Sequence, residues 1–121
     1  MHKARARSYP ISIFIAGDFL KAKEICQQYC DEKGLCVTVT PTEYIYTGGT
    51  EPGVVVGMIN YPRFPKYPHQ QIKTAQKLAM RLLEALDQQS FSIETPQETH
   101  WFSNRPEDLK QYEEDQNISV A

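Results

Sequence analysis

Apolar and polar positions first fall into a regular pattern at residues 11–16, where Ile11, Ile13 and Ile15 alternate with Ser12, Phe14 and Ala16. A period of two predicts a strand. Gly17-Asp18 ends it, and Asp18 suits a helix N-cap because its carboxylate can accept the free N–H groups of the next turn. Leu20, Ala22, Ile25, Cys26, Tyr29 and Cys30 then recur at helical spacing, and Gly34 fits the left-handed position that ends helices. From Leu35 to Tyr46 the chain is rich in β-branched and aromatic residues, with Thr38, Thr40 and Thr42 on one face. Pro41 cannot donate to a ladder, so this second strand is expected at an edge or broken there.

Thr47 to Pro52-Gly53 reads as a turn cluster and hence a hairpin tip. Val54 to Ile59 is apolar on both alternations except at Gly57, which predicts a central strand covered on both faces. Gln70 to Gln88 carries the clearest helical stripe, Ile72, Ala75, Leu78, Ala79, Leu82, Leu83 and Leu86, with Lys73, Lys77, Arg81 and Glu84 opposite. Phe91, Ile93 and Thr95 alternate as a last strand, which His100-Trp101-Phe102 extends after a break at Pro96.

The order β-α-β-β-α-β is the split arrangement of ferredoxin-like domains. The expected fold is therefore α+β: an antiparallel four-stranded sheet with two helices on one face. A variant with residues 100–102 as an extra C-terminal edge strand is the nearest competitor. Residues 1–8, with Lys3, Arg5 and Arg7 and no acid, are expected as a basic flexible arm. Residues 9–104 form the single domain, and residues 105–121, rich in Glu and Asp, an acidic flexible tail.

Helices on one face leave the other to be covered or wetted. Phe14 points there if its neighbouring isoleucines meet the helices. The third strand adds either Val54, Val56 and Met58 or Val55, Gly57 and Ile59, apolar either way. We take Phe14, Val56 and Met58 as a candidate oligomer face, since extended apolar patches on soluble proteins mark contacts.

Between the third strand and the second helix the chain repeats aromatic, proline, basic: Tyr61-Pro62-Arg63, Phe64-Pro65-Lys66, Tyr67-Pro68-His69. Each proline fixes its own φ and pushes the preceding residue toward extended geometry. The expected conformer is polyproline II, whose three-fold repeat separates an aromatic edge from a basic one. Tyr61, Arg63, Phe64, Lys66 and Tyr67 are thus candidate partner-binding residues.

At 121 residues and net charge −2, the chain fits one domain with a real core and no strong attraction to nucleic acid. No apolar run is long enough for a membrane helix, so no membrane association is expected and a cytoplasmic setting is the default. Cys26, Cys30 and Cys36 are odd in number, which rules out a complete disulfide set within one chain and predicts reduced, buried thiols.

Catalytic chemistry is sparsely signalled. Ile13 to Asp18 looks like the first-strand motif of RNA-recognition domains, but the third strand lacks the companion aromatics. Asp18 resembles the acidic position of small dimeric nucleases of this fold, without a second carboxylate at matching spacing. His69 and His100 are the remaining acid–base candidates. No catalytic residue, metal ligand or cofactor is assigned from the sequence.

Tyr9 to Asp18, Gly34 to Thr42 and Asn60 to Pro65 resemble segments of small uncharacterised proteins carried by tailed bacteriophages. That resemblance implies a host-cytoplasm setting and an accessory role. At fold level the layout is similar to trimeric signalling and cation-tolerance proteins, which associate through their sheets. The function expected is a non-enzymatic, self-associating interaction module binding a protein partner through residues 61–69 and the hairpin tip. The alternatives are a nucleic-acid-binding domain and, behind it, a metal-dependent hydrolase or nuclease using Asp18.

Overall fold

A computed structural model describes residues 1–108. The stretch read as an acidic tail falls mostly beyond that range, at residues 109–121. Five strands and two helices follow one another: β1 (Ile11–Ala16), α1 (Phe19–Lys33), β2 (Thr38–Tyr46), β3 (Gly49–Met58), α2 (Pro68–Ala85), β4 (Ser90–Glu94) and β5 (Thr99–Ser103). The strands form one sheet in the order β2-β3-β1-β4-β5, every neighbouring pair antiparallel. The first four in that order are the ferredoxin-like sheet, and β5 is the added edge.

Local chemistry sets the boundaries. The Asp18 carboxylate accepts from the Lys21 N–H at 2.8 Å, capping α1, and Gly34 closes it at φ 69°, a conformation that glycine adopts without a Cβ penalty. Gln70 accepts the Tyr67 N–H at 2.9 Å at the start of α2. Pro41 sits in β2, which is an edge strand as its missing donor requires.

The core lies between the helices and one sheet face. Ile11, Ile13 and Ile15 of β1 stand opposite Met58, Val56 and Val54 of β3. All six are buried together with Ala22, Cys26 and Tyr29 of α1 and Ala75, Leu78, Ala79, Leu82 and Leu83 of α2. Each large aliphatic side chain so buried contributes about 1.5–3 kcal/mol. Phe102 of β5 stacks on Phe91 of β4, with ring centroids 4.9 Å apart, and extends the core to the sheet's edge.

Three expectations are corrected here. Val56 and Met58 face the helices, so only Phe14 of the proposed oligomer face lies on the open side. β3 is covered on one face only. The hairpin tip is tighter than read: only Thr47 and Gly48 turn, and β3 already runs from Gly49 through Pro52 and Gly53. Pro52 is tolerated because its carbonyl accepts the Gly17 N–H at 2.9 Å, which places its own nitrogen toward the end of β1, where no ladder donor is needed.

Candidate functional site

The open sheet face is built in rows. Thr40, Val55, Phe14, Ser92 and Trp101 stand side by side across all five strands. The row on one side of it, Thr38, Gly57, Ser12, Glu94 and Thr99, is polar or bare. The face is therefore mostly hydroxylic, with apolar groups concentrated in the central row. The sequence reading of two apolar sheet faces is corrected by this register.

At the other end of β1 the face dips into a groove of about 160 Å³, lined among others by Phe14, Ala16, Tyr44, Glu51, Ser92, Trp101 and Arg105. Gly53 shapes it. A Cβ there would meet Tyr44 Cε2 at 2.3 Å and the Ile15 carbonyl at 2.6 Å, so only glycine lets the Tyr44 ring lie flat across β3. The Tyr44 hydroxyl then donates to the Val54 carbonyl at 2.6 Å. Burial raises the Tyr44 phenol above its ordinary pKa, with the backbone at Ile15 pulling the other way. Tyr44 is thus a neutral, fixed wall.

Trp101 is 57% exposed because the residue opposite it, Ser92, is too small to cover the indole. Glu51, opposite Tyr44 on the hairpin, is exposed and, among the described residues, has no cationic partner. Arg105 is half-buried and reaches Asp108 at 3.5 Å. The groove offers aromatic surfaces, a free carboxylate, a guanidinium and several hydroxyls. That set can hold a flat heterocycle, a cation and a carboxylate side by side.

The triplet connector is not a straight rod. The Phe64 N–H returns to the Tyr61 carbonyl at 3.0 Å, a turn that brings the two rings to 5.5 Å. Asn60 holds this turn: its amide oxygen accepts the Lys66 N–H at 2.8 Å, and its NH₂ donates to the Lys66 and Arg7 carbonyls at 3.2 and 2.9 Å. The expected polyproline II helix loses because these bonds satisfy backbone groups that a free rod leaves to water. Of the candidate partner-binding residues, Arg63, Phe64 and Tyr67 are exposed. Tyr61 accepts a bond from the Cys36 thiol at 3.0 Å, and Lys66 is half-buried.

Asp18 is occupied as a cap. His69 stacks on Tyr67 at the start of α2, whereas His100 on β5 pairs with Glu98 at 2.8 Å, so each has a structural partner of its own. The cysteines are free thiols, but only Cys26 is buried, Cys36 being exposed. Among the described residues no cluster of His, Cys, Asp and Glu has a metal-binding arrangement, and no helix is long and apolar enough to cross a membrane. Sequence reasoning passed over Tyr44, Glu51 and Arg105. The one available signal was the glycine spacing of 49, 53 and 57, which bares alternate positions of β3.

No protein-family model and no curated protein matches the sequence. Two solved structures match the fold. One is a phage SAM lyase in its apo state, with a TM-score of 0.65 and 16% identity over 80% of this chain and 90% of that one. The other is a phage SAM lyase in complex with S-methyl-5′-thioadenosine, with a TM-score of 0.61 and 14% identity over 85% and 95%. At these identities the likeness is one of fold. Both structures are of an enzyme, and this corrects the expectation of a non-enzymatic interaction module, without bearing on self-association; neither alternative, nucleic-acid binding or a metal-dependent hydrolase, gains from it.

Proposed function

We propose that this chain cleaves a sulfonium nucleoside of the S-adenosylmethionine type, releasing the thioether nucleoside, and that the open-face groove, at about 160 Å³ smaller than a whole such substrate, seats part of it while the rest lies along the sheet face. The observation that carries the reading is the fold match to phage SAM lyase over 80–85% of this chain and 90–95% of the matched ones. The groove supports it by its chemistry. Trp101 and Phe14 give flat surfaces on which an adenine can stack. Glu51 and the aromatic faces suit the sulfonium cation, and Arg105 suits the substrate's α-carboxylate.

The cleavage we propose consumes no water. The substrate's own carboxylate oxygen attacks its γ-carbon, the carbon–sulfur bond breaks with its electron pair moving to sulfur, and a five-membered lactone and S-methyl-5′-thioadenosine result. The positive sulfur and the negative carboxylate neutralise each other as the transition state forms. Partial exclusion of water by Tyr44, Trp101 and Phe14 therefore favours the transition state over the doubly charged ground state. The remaining demand is orientation, which a groove with a cation-binding end and an anion-binding end supplies. That both structures sharing this fold come from phage supports a phage-encoded setting.

The test is incubation of the purified chain with S-adenosylmethionine, following S-methyl-5′-thioadenosine by chromatography with mass detection. Release that depends on the chain and falls in a Glu51→Ala or Trp101→Ala variant of unchanged melting temperature supports the reading. No release above the spontaneous rate, together with no binding of either nucleoside, overturns it.

A further inference from the structure

On the opposite side of the molecule from the sheet face, the end of α1, the connector and α2 enclose a groove of about 450 Å³ lined by Tyr29, Lys33, Leu35, Pro65, Lys66, Gln70, Lys73, Thr74 and Lys77. It runs on into a second hollow of about 440 Å³ that shares Tyr29, Lys33, Lys73 and Lys77 and adds Arg81. Among the described residues no carboxylate lines either one. Arg81 is engaged, bound to Glu32 at 2.7 Å and lying over the Tyr29 ring at 4.9 Å. Among the described residues, none of the four lysines has an acidic partner within salt-bridge distance.

The lysines are held there by the fold. Lys73 and Lys77 are one turn apart on α2, Lys33 closes the last turn of α1, and Lys66 is fixed through both of its backbone groups by Asn60. Gathering like charges is unfavourable unless an anion joins them. A second, independent observation points the same way. Tyr29 is only 3% exposed, and its hydroxyl makes no side-chain hydrogen bond among the described residues. Every fully enclosed polar side-chain atom described does have a partner. Tyr29 lines both hollows, and burial, raising its pKa, keeps its hydroxyl protonated and able to donate.

We propose that this groove is a second ligand site, distinct from the sheet-face groove, and that it takes a compact small molecule bearing two or more phosphates. The ammonium groups of lysines lining one groove are compact point charges that match phosphate oxygens, and Tyr29, Thr74 and Gln70 on the same lining can supply neutral donors. The volume lies within the roughly 300–1,000 Å³ of small-molecule sites. A long nucleic acid fits less well, because the chain's net charge of −2 repels phosphates beyond the groove.

Titration calorimetry of the full chain at low salt tests this, with inorganic tripolyphosphate, a nucleoside triphosphate and a single-stranded oligonucleotide as separate probes. Tripolyphosphate should bind saturably at one site per chain. Lys73→Gln with Lys77→Gln should weaken it by about tenfold or more at unchanged melting temperature, while Lys21→Gln, outside the groove, has no effect. Tighter binding of the triphosphate than of tripolyphosphate identifies a nucleotide as the ligand, and equal binding identifies the phosphates alone as recognised. No heat with tripolyphosphate, binding indifferent to the lysine pair, or a preference for the oligonucleotide overturns the proposal. Loss of sulfonium cleavage leaves it standing, since the two sites share no residue.

Discussion

Replacing Gly53 by alanine tests the packing on which the sheet-face groove depends. The added Cβ would stand 2.3 Å from Tyr44 Cε2, 2.8 Å from Tyr44 Cδ2 and 2.6 Å from the Ile15 carbonyl oxygen. The ring can swing away, but only by giving up the 2.6 Å bond from its hydroxyl to Val54. The carbonyl belongs to the β1–β3 ladder and cannot move without straining it. Overpacking of this kind costs about 1–3 kcal/mol. The lost hydrogen bond contributes about 0.5–1.5 kcal/mol of the total. For a domain of this size each kcal/mol lowers Tm by about 4 °C, so Gly53→Ala should melt roughly 4–12 °C lower. In a Tyr44→Ala background the ring clash is gone and the carbonyl clash remains, so the same substitution should cost less without becoming free. Thermal denaturation of the four proteins of this cycle measures both numbers. An unchanged Tm in Gly53→Ala, or an equal loss in both backgrounds, refutes the placement of Tyr44.

Asn60→Ala removes the side chain that makes three hydrogen bonds to the connector and Arg7, and should lower stability by about 1–3 kcal/mol in urea unfolding. Phe64→Ala should cost only about 0.5–1.5 kcal/mol, because the ring is 39% exposed and rests chiefly on Tyr61. With a thiol-reactive chromophore the exposed Cys36 should label rapidly and the buried Cys26 only as the chain unfolds, checked by mapping the labelled peptides. Burial pushes the Cys26 thiol from 9.0 up to about 12, so the unfolded chain ionises first as the solution becomes alkaline. Stability should accordingly fall as pH rises from about 9 toward 12, and fall less steeply in Cys26→Ala, by denaturant titrations at pH 8 and 10.

The elements most legible in the sequence were those whose period leaves no second reading. Ile11, Ile13 and Ile15 define β1, the Ile72–Leu86 stripe defines α2, and Asp18 and Gly34 mark the ends of α1 as capping chemistry requires. Given those, the ferredoxin-like order and the edge position of the Pro41 strand followed. The orientation of β3 did not follow, because Val54, Val56 and Met58 alternate with Val55 and Ile59 and both sets are apolar. Only the pairing of Ile13 with Val56 decides which set meets the helices. Pro52-Gly53 was taken for a turn because those residues usually make one. Here proline sits where β1 has ended and glycine makes room for Tyr44.

The proline triplets misled for a related reason. Their local preference for extended backbone is real, yet Asn60, outside the repeat, supplies the bonds that fold them into a turn. The groove was hidden more deeply. Phe14, Tyr44, Glu51, Trp101 and Arg105 come from separate segments and carry no shared motif; only strand pairing assembles them. The lysine groove was half visible, since Lys73 and Lys77 were read as the solvent face of α2. Its other half, Lys33 and Lys66, requires the packing of α1 and the connector.

Trp101 is the chain's single tryptophan, so intrinsic fluorescence reports on the sheet-face groove without labelling. Titration with S-methyl-5′-thioadenosine should give a saturable change in that emission, abolished or strongly weakened in Phe14→Ala of unchanged fold. Emission that stays constant while the chain cleaves S-adenosylmethionine would contradict the assignment of this groove, placing the chemistry elsewhere on the molecule.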